Sequence, residues 1–151
     1  MKKLVEKFTP IILATLVIIG GVSALPMKKA AAYSGVKTVE TSSNFTYQIG
    51  YHEIATSEDS SNVYGSVKMA PNTAAYIRMT LQKYEGGAWK QISAHNAGYA
   101  YSEYGDIKQA HTTFTNVINN AGRTIRIQVD FFNNSNYTDN LQTAYSYSWT
   151  R

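Results

Sequence analysis

The chain has 151 residues, no cysteine, 12 tyrosines, 2 tryptophans and a formal net charge of +4. That charge belongs to the first 32 residues, where Lys2, Lys3, Lys7, Lys28 and Lys29 stand against Glu6; nine basic and nine acidic residues follow. Disulfide staples, thiolate catalysis and cysteine-type zinc sites are therefore excluded, and the sequence pI of about 9.2 is no argument for a nucleic-acid partner.

Residues 1–7 read as a basic n-region and residues 8–22 as the apolar stretch behind it. Its uncharged core, 11–22, would be about 18 Å long as a helix, too short to span a bilayer. A small-residue run at Ala30, Ala31 and Ala32 then offers a cleavage site, with Val22-Ser23-Ala24 as the alternative. Residues 1–32 thus read as a signal helix that is cleaved on export, so the membrane enters only during secretion. Residues 33–151 form the expected mature domain, long enough to bury roughly 65% of its unfolded surface. Without a cysteine there is no lipid-anchor site, and no wall-sorting motif is present. The expected location is extracellular, with any hold on the cell wall non-covalent.

From residue 45 the chain alternates at period two, the mark of half-buried antiparallel strands. Phe45, Tyr47, Ile49 and Tyr51 read as one face of a first strand, with Thr46, Gln48 and His52 on the solvated face. A polar loop at 57–62 leads to the stripe Val63, Gly65, Val67 and Met69, closed by Pro71-Asn72. Ile77, Met79 and Leu81 make a third apolar face. The segment 76–94 reads as a hairpin around Glu85-Gly86-Gly87, whose glycines can take the positive φ of a tight turn. Strands are expected next at 99–104 and 110–117, then a turn at Asn119-Asn120-Ala121-Gly122. Ile125, Ile127, Val129 and Phe131 form the strongest core strand. A polar loop at 133–140 precedes Tyr145, Tyr147 and Trp149, which alternate with Ser146 and Ser148. Seven or eight short strands separated by turns predict an all-β fold, an antiparallel two-sheet sandwich of immunoglobulin-like type.

Catalytic patterns are missing from the sequence. His52, His95 and His111 lack metal-ligand spacing, and no serine lies in a nucleophile elbow. Asp59, Asp106, Asp130 and Asp139 read as turn and strand-end charges. The acidic stretches 58–62 and 130–140 lack the alternating carboxylate spacing of a calcium loop, so they read as solvated loops. No enzyme activity, metal or cofactor is expected. The abundant tyrosines carry more information, because Tyr and Trp suit surfaces that are dry on one side and wet on the other. Trp89, Tyr99, Tyr101 and Tyr104, joined by Tyr145, Tyr147 and Trp149, are the candidate binding patch. With zero net charge in residues 33–151, affinity would come from stacking and hydrogen bonds rather than electrostatic steering.

The hairpin at 76–94 resembles that of immunoglobulin-like and fibronectin-like bacterial extracellular modules, in which the tryptophan, here Trp89, packs between the sheets. Beyond it stand Gly87-Ala88-Trp89, Tyr101-Ser102-Glu103-Tyr104, His111, a threonine-rich strand at 112–115, the Asn119–Gly122 turn and Tyr145-Ser146-Tyr147-Ser148-Trp149. Together, residues 87–149 resemble the lactococcin-like class of cysteine-free β-sandwich bacteriocins. That resemblance implies secretion and growth arrest of related Gram-positive cells through binding of a cell-wall precursor. The residues themselves favour a non-catalytic secreted module that binds a cell-envelope glycan or an extracellular protein through exposed aromatics. The bacteriocin is the alternative.

Overall fold

A computed structural model describes residues 33–151, with side chains from residue 35 onward, so the signal helix and cleavage site read at 1–32 lie outside the described residues. The period-two alternation becomes ten strands, all paired antiparallel. Strands β1 (Tyr33–Glu40), β2 (Tyr51–Glu58), β3 (Val63–Lys68) and β7 (Ala110–Phe114) form a four-stranded sheet in the order β1-β2-β3-β7. Strands β4 (Thr73–Glu85), β5 (Ala88–Glu103), β6 (Asp106–Lys108), β8 (Thr124–Phe132) and β10 (Trp149–Thr150) form the second, in the order β10-β8-β4-β5-β6. Strand β9 (Asn140–Tyr145) also pairs with β8. The two sheets pack face to face, so the described residues form the all-β two-sheet structure expected of them.

One apolar layer fills the space between the sheets. Ile54, Val63, Val67, Met69 and Phe114 come from the four-stranded side; Ile77, Met79, Leu81, Ile125, Ile127, Val129 and Phe131 come from the other. Each side chain in that set is 0–1% exposed, which places burial of apolar area as the main stabilising term. Gly65 sits on the inner face of β3, and a Cβ there would lie 2.8 Å from Ile127 Cδ1 and 2.9 Å from Met79 Sδ. A side chain at that position would have to displace one of these two. The β4–β5 hairpin closes through Gly86 (φ 64°) and Gly87 (φ 82°), the left-handed pair that a two-residue turn of matching twist requires.

Several sequence expectations need correction. Residues 45–50 form a loop, not a strand: Phe45 turns into the core, while Tyr47, Ile49 and Tyr51 are exposed. Alternation starts at Tyr51 with the opposite phase, and His52, expected on the solvated face, is fully buried. Its ring lies between Phe45 (5.1 Å between centroids) and Phe131 (4.6 Å), and its Nδ1 accepts the Ala70 N–H at 3.1 Å. Residues 99–103 are not a separate strand but the end of the 16-residue β5, and Tyr104 lies in the turn that follows. The terminal Tyr145–Trp149 alternation is broken after Tyr145: the Ser146 hydroxyl accepts from the Ile127 N–H and donates to the Tyr147 carbonyl.

A second contact set ties the last strand to the other sheet. The Trp149 Nε1–H donates to Glu58 Oε2 at 3.1 Å, and the almost buried Arg151 guanidinium lies 3.6 Å from the same oxygen. Arg151 also donates to the carbonyls of Val117 and Asp59, both at 2.9 Å. Glu58 is thus compensated by one hydrogen bond and one ion pair, which a buried carboxylate needs.

Candidate functional site

The outward positions of the six-stranded sheet bring the large amphipathic side chains together. Tyr76 lies opposite Tyr99 on one side and Phe132 on the other; Arg78 lies between Asn96 and Asp130; Gln82 lies between Gln91 and Arg126; Tyr84 lies opposite Trp89. Their inward neighbours Ile77, Met79 and Leu81 fill the core, so the pleat turns this set to the outer side of the sheet, where Phe132 and Asp130 are covered by neighbouring side chains.

Two aromatic–arginine clusters result. In the first, Tyr76 stacks at 5.0 Å on Tyr99, which lies 5.9 Å from Tyr101. Tyr137, from the loop after β8, folds over Phe132 and Tyr76, and the Arg78 guanidinium sits 5.1–5.2 Å from the Tyr137 and Phe132 rings. In the second, the Arg126 guanidinium is held between Trp89 at 4.1 Å and Tyr145 at 3.9 Å, with Tyr84 beside Trp89. A guanidinium between two ring faces gains from both quadrupoles.

A polar ladder joins the clusters. Arg126 Nε donates to Gln82, Gln82 to Gln128, and Gln128 to both carboxylate oxygens of Asp130, all within 2.8–3.0 Å. The Thr143 hydroxyl adds a further bond to Asp130 at 2.6 Å. Cross-strand bonds of this kind fix the rotamers of the outward side chains, so the face is organised before any ligand arrives.

Protonation fits donor roles. Burial, and then the nearby Glu103 charge, push the Tyr99 hydroxyl above its ordinary range. The hydrogen bond to Asp106, 2.8 Å long, does the same for Tyr101. Burial lowers the Arg126 pKa from its ordinary value, a sign that its charge is partly desolvated.

Of the seven aromatic residues singled out in the sequence, Tyr99 and Tyr101 lie in the first cluster, and Trp89 and Tyr145 in the second. Tyr104 occupies the adjoining β5–β6 turn at φ 49° with its ring wholly in solvent. Tyr147 lies off this face, with Lys37 of β1 5.6 Å from its ring. Trp149 packs inward against the core. Trp89 thus stands on the outer face with the candidate patch, not between the sheets as the hairpin resemblance implies, whereas Trp149, expected in the patch, packs against the core. Tyr76, Phe132, Tyr137, Arg78 and Arg126 were not anticipated. The signal for four of them was the outward half of the alternations whose inward half marked the core, Tyr76-x-Arg78 on β4 and Arg126-x-Gln128-x-Asp130-x-Phe132 on β8.

The remaining reactive side chains have structural partners. Asp59 accepts from the Tyr64 hydroxyl (2.6 Å) and the Ser61 and Asn62 N–H groups (both 2.7 Å), which hold its carboxyl far below the usual range. Ser93 Oγ lies 2.9 Å from His95 Nε2, but that exposed ring packs edge-on against Phe114 and no carboxylate bonds it among the described residues. Among the described residues, no three His, Asp or Glu side chains are grouped to hold a metal ion. No protein-family model matches the chain, and no curated protein or solved structure is significantly similar to it.

Proposed function

We propose that this is a secreted, non-catalytic binding module that takes a cell-envelope glycan along the outer face of its six-stranded sheet. One observation carries the reading: two clusters of aromatic rings flank a ladder of hydrogen-bonding amides along that face, and its side chains are already locked to one another. Sugar rings present apolar faces and hydroxyl edges in the same alternation, whereas a protein partner would call for a drier central anchor. Export through a cleaved helix at 1–32, residence outside the cell and an immunoglobulin-like class for the sandwich belong to the same proposal. Purified protein titrated calorimetrically with wall polysaccharides should bind, and Tyr99→Ala and Trp89→Ala should each weaken binding about tenfold while thermal unfolding stays cooperative. Binding unchanged by both substitutions would refute the assignment of the face.

A second reading is the lactococcin-like bacteriocin. It draws support from the opposite kind of surface, the apolar loop tips at one end of the sandwich. Tyr47 and Glu103 border one depression there, and Ile49, 85% exposed, and Tyr104 project from the same two loops. Protruding apolar tips suit a target at the membrane surface. Growth arrest with failed septation in a panel of Gram-positive strains would establish this reading; undisturbed growth across the panel would remove it.

A further inference from the structure

The two arginines of the face are built alike, and neither is used up. In each, the guanidinium lies against two aromatic rings: Trp89 and Tyr145 for Arg126, Phe132 and Tyr137 for Arg78. In each, Nε is committed to a side-chain amide oxygen, Gln82 for Arg126 (2.8 Å) and Asn96 for Arg78 (2.9 Å). What each leaves available is the in-plane edge with the two terminal nitrogens. That edge is the fork that fits a carboxylate or phosphate oxygen pair.

Charge accounting within the face points the same way. Neither arginine makes an ion pair among the described residues. Asp130, the acid opposite Arg78, is 8% exposed and is occupied by Gln128 and Thr143. The other acids that project on this side, Glu103 and Asp106, stand at the β5–β6 corner with Lys108, and Asp106 accepts the Tyr101 hydroxyl. The central rows thus carry two aromatic-clamped cations and one saturated carboxylate, on a domain whose nine basic and nine acidic residues sum to zero.

We propose that the ligand of this face is a linear anionic glycan, with one acidic group received by Arg126 and another by Arg78. This rests on the glycan-binding reading above and specifies its chemistry. Arg78 stands opposite Asp130, four residues along β8 from Arg126, so the backbone positions of the two arginines are about 13 Å apart along the strands. No single sugar spans that distance, so an oligomer is required. Trp89, Tyr145 and Tyr137, with Tyr99 and Tyr101 beyond, supply the stacking surface. The acidic group is a uronate carboxylate or a backbone phosphodiester, which the fork recognises alike.

The test is calorimetric titration of the purified protein with polygalacturonate, poly(glycerol phosphate), a neutral β-glucan and monomeric galacturonate. At least one polyanion should bind while the glucan and the monomer do not, and the polyanion that binds identifies the acidic group. Arg126→Gln and Arg78→Gln should each lower affinity at least about tenfold. Arg126→Lys should also lose affinity, because it keeps the charge but not the planar fork. It guards against misreading a folding defect, as does confirming each variant's thermal midpoint. Equal binding of the neutral glucan, or polyanion binding unaffected by the arginine variants, overturns the anionic assignment. If the neutral glucan binds and Tyr99→Ala abolishes that binding, the face remains a glycan site and only its charge preference fails. If no glycan binds, both readings fall.

Discussion

The two outer faces of the sandwich grow from the same alternation and end as opposite surfaces. On the four-stranded sheet the outward rows run Ala55, Ser66, His111 and Ser57, Tyr64, Thr113, mostly short side chains over a shallow depression of about 340 Å³. On the six-stranded sheet they run Tyr99, Tyr76, Phe132 and Gln91, Gln82, Arg126, long side chains that stack and bond to one another. Binary patterning decides only which residues leave the core. What a face can do depends on whether its outward side chains reach their cross-strand neighbours, and only the second set does so throughout.

Both faces depend on the inner layer, and the largest expected effect lies there. Burial between Phe45 and Phe131 holds His52 at a pKa of about 4, well under its ordinary 6.5, with Gln142 offsetting the shift only in part. Protonation would also set a new N–H against the Ala70 N–H that Nδ1 now accepts. The folded pKa is below the unfolded one, so between about pH 6.5 and pH 4 the unfolded chain binds a proton that the fold does not. The contribution is complete above pH 6.5 and is lost as pH falls toward 4, amounting to about 3 kcal/mol. Denaturant midpoints should fall over that window, and His52→Leu should flatten the slope between pH 5 and 6.5. An equal slope in the variant would sink the assignment.

The sequence made the inner layer legible and left the faces unassigned. Val63, Val67, Ile77, Met79, Leu81, Ile125, Ile127, Val129 and Phe131 all stand inside as their alternation required, and Gly86-Gly87 closes the hairpin where expected. The error at 45–52 has a physical source: the alternation of 45–51 does not run on into β2, because Gly50 takes a positive φ of 109° and the strand starts after it with His52 turned inward. The candidate site was half legible. Tyr99, Tyr101, Trp89 and Tyr145 could be singled out by residue type, but they meet Arg78 and Arg126 only through strand order, β9 and β5 flanking β8 and β4. Trp149 had the same composition signal as Trp89. What separates them is Glu58, 91 residues away in the chain, which draws the Trp149 indole inward.

A smaller effect distinguishes the faces directly. Arg126→Met removes a guanidinium sandwiched between two rings together with its bond to Gln82, and should destabilise by about 1–2 kcal/mol in urea unfolding. Lys68→Met on the opposite face removes an exposed ion pair with Glu53, 3.2 Å long, and should stay within about 0.5 kcal/mol of the parent. Equal costs would mean that the aromatic clamp adds nothing beyond an ordinary surface contact.

The smallest expected effect compares adjacent residues of β3 that point to opposite sides. Gly65→Ala places a methyl 2.8 Å from Ile127 Cδ1 and 2.9 Å from Met79 Sδ, so something must give. Both obstructing atoms lie toward the ends of flexible side chains, and alanine also restricts the unfolded chain more than glycine does. These two gains keep the cost to about 1 kcal/mol, the low end for overpacking. Ser66→Ala, on the outer rows, should be nearly neutral, within about 0.5 kcal/mol. If Met79 is the atom that yields, Gly65→Ala combined with Met79→Val should cost less than the two changes added, because the shorter side chain vacates the space that the methyl enters. Simple additivity would mean that the sheets themselves move apart to admit the methyl. In that case Gly65→Ala should also disturb ligand binding on the six-stranded face, although no atom of Gly65 lies on it.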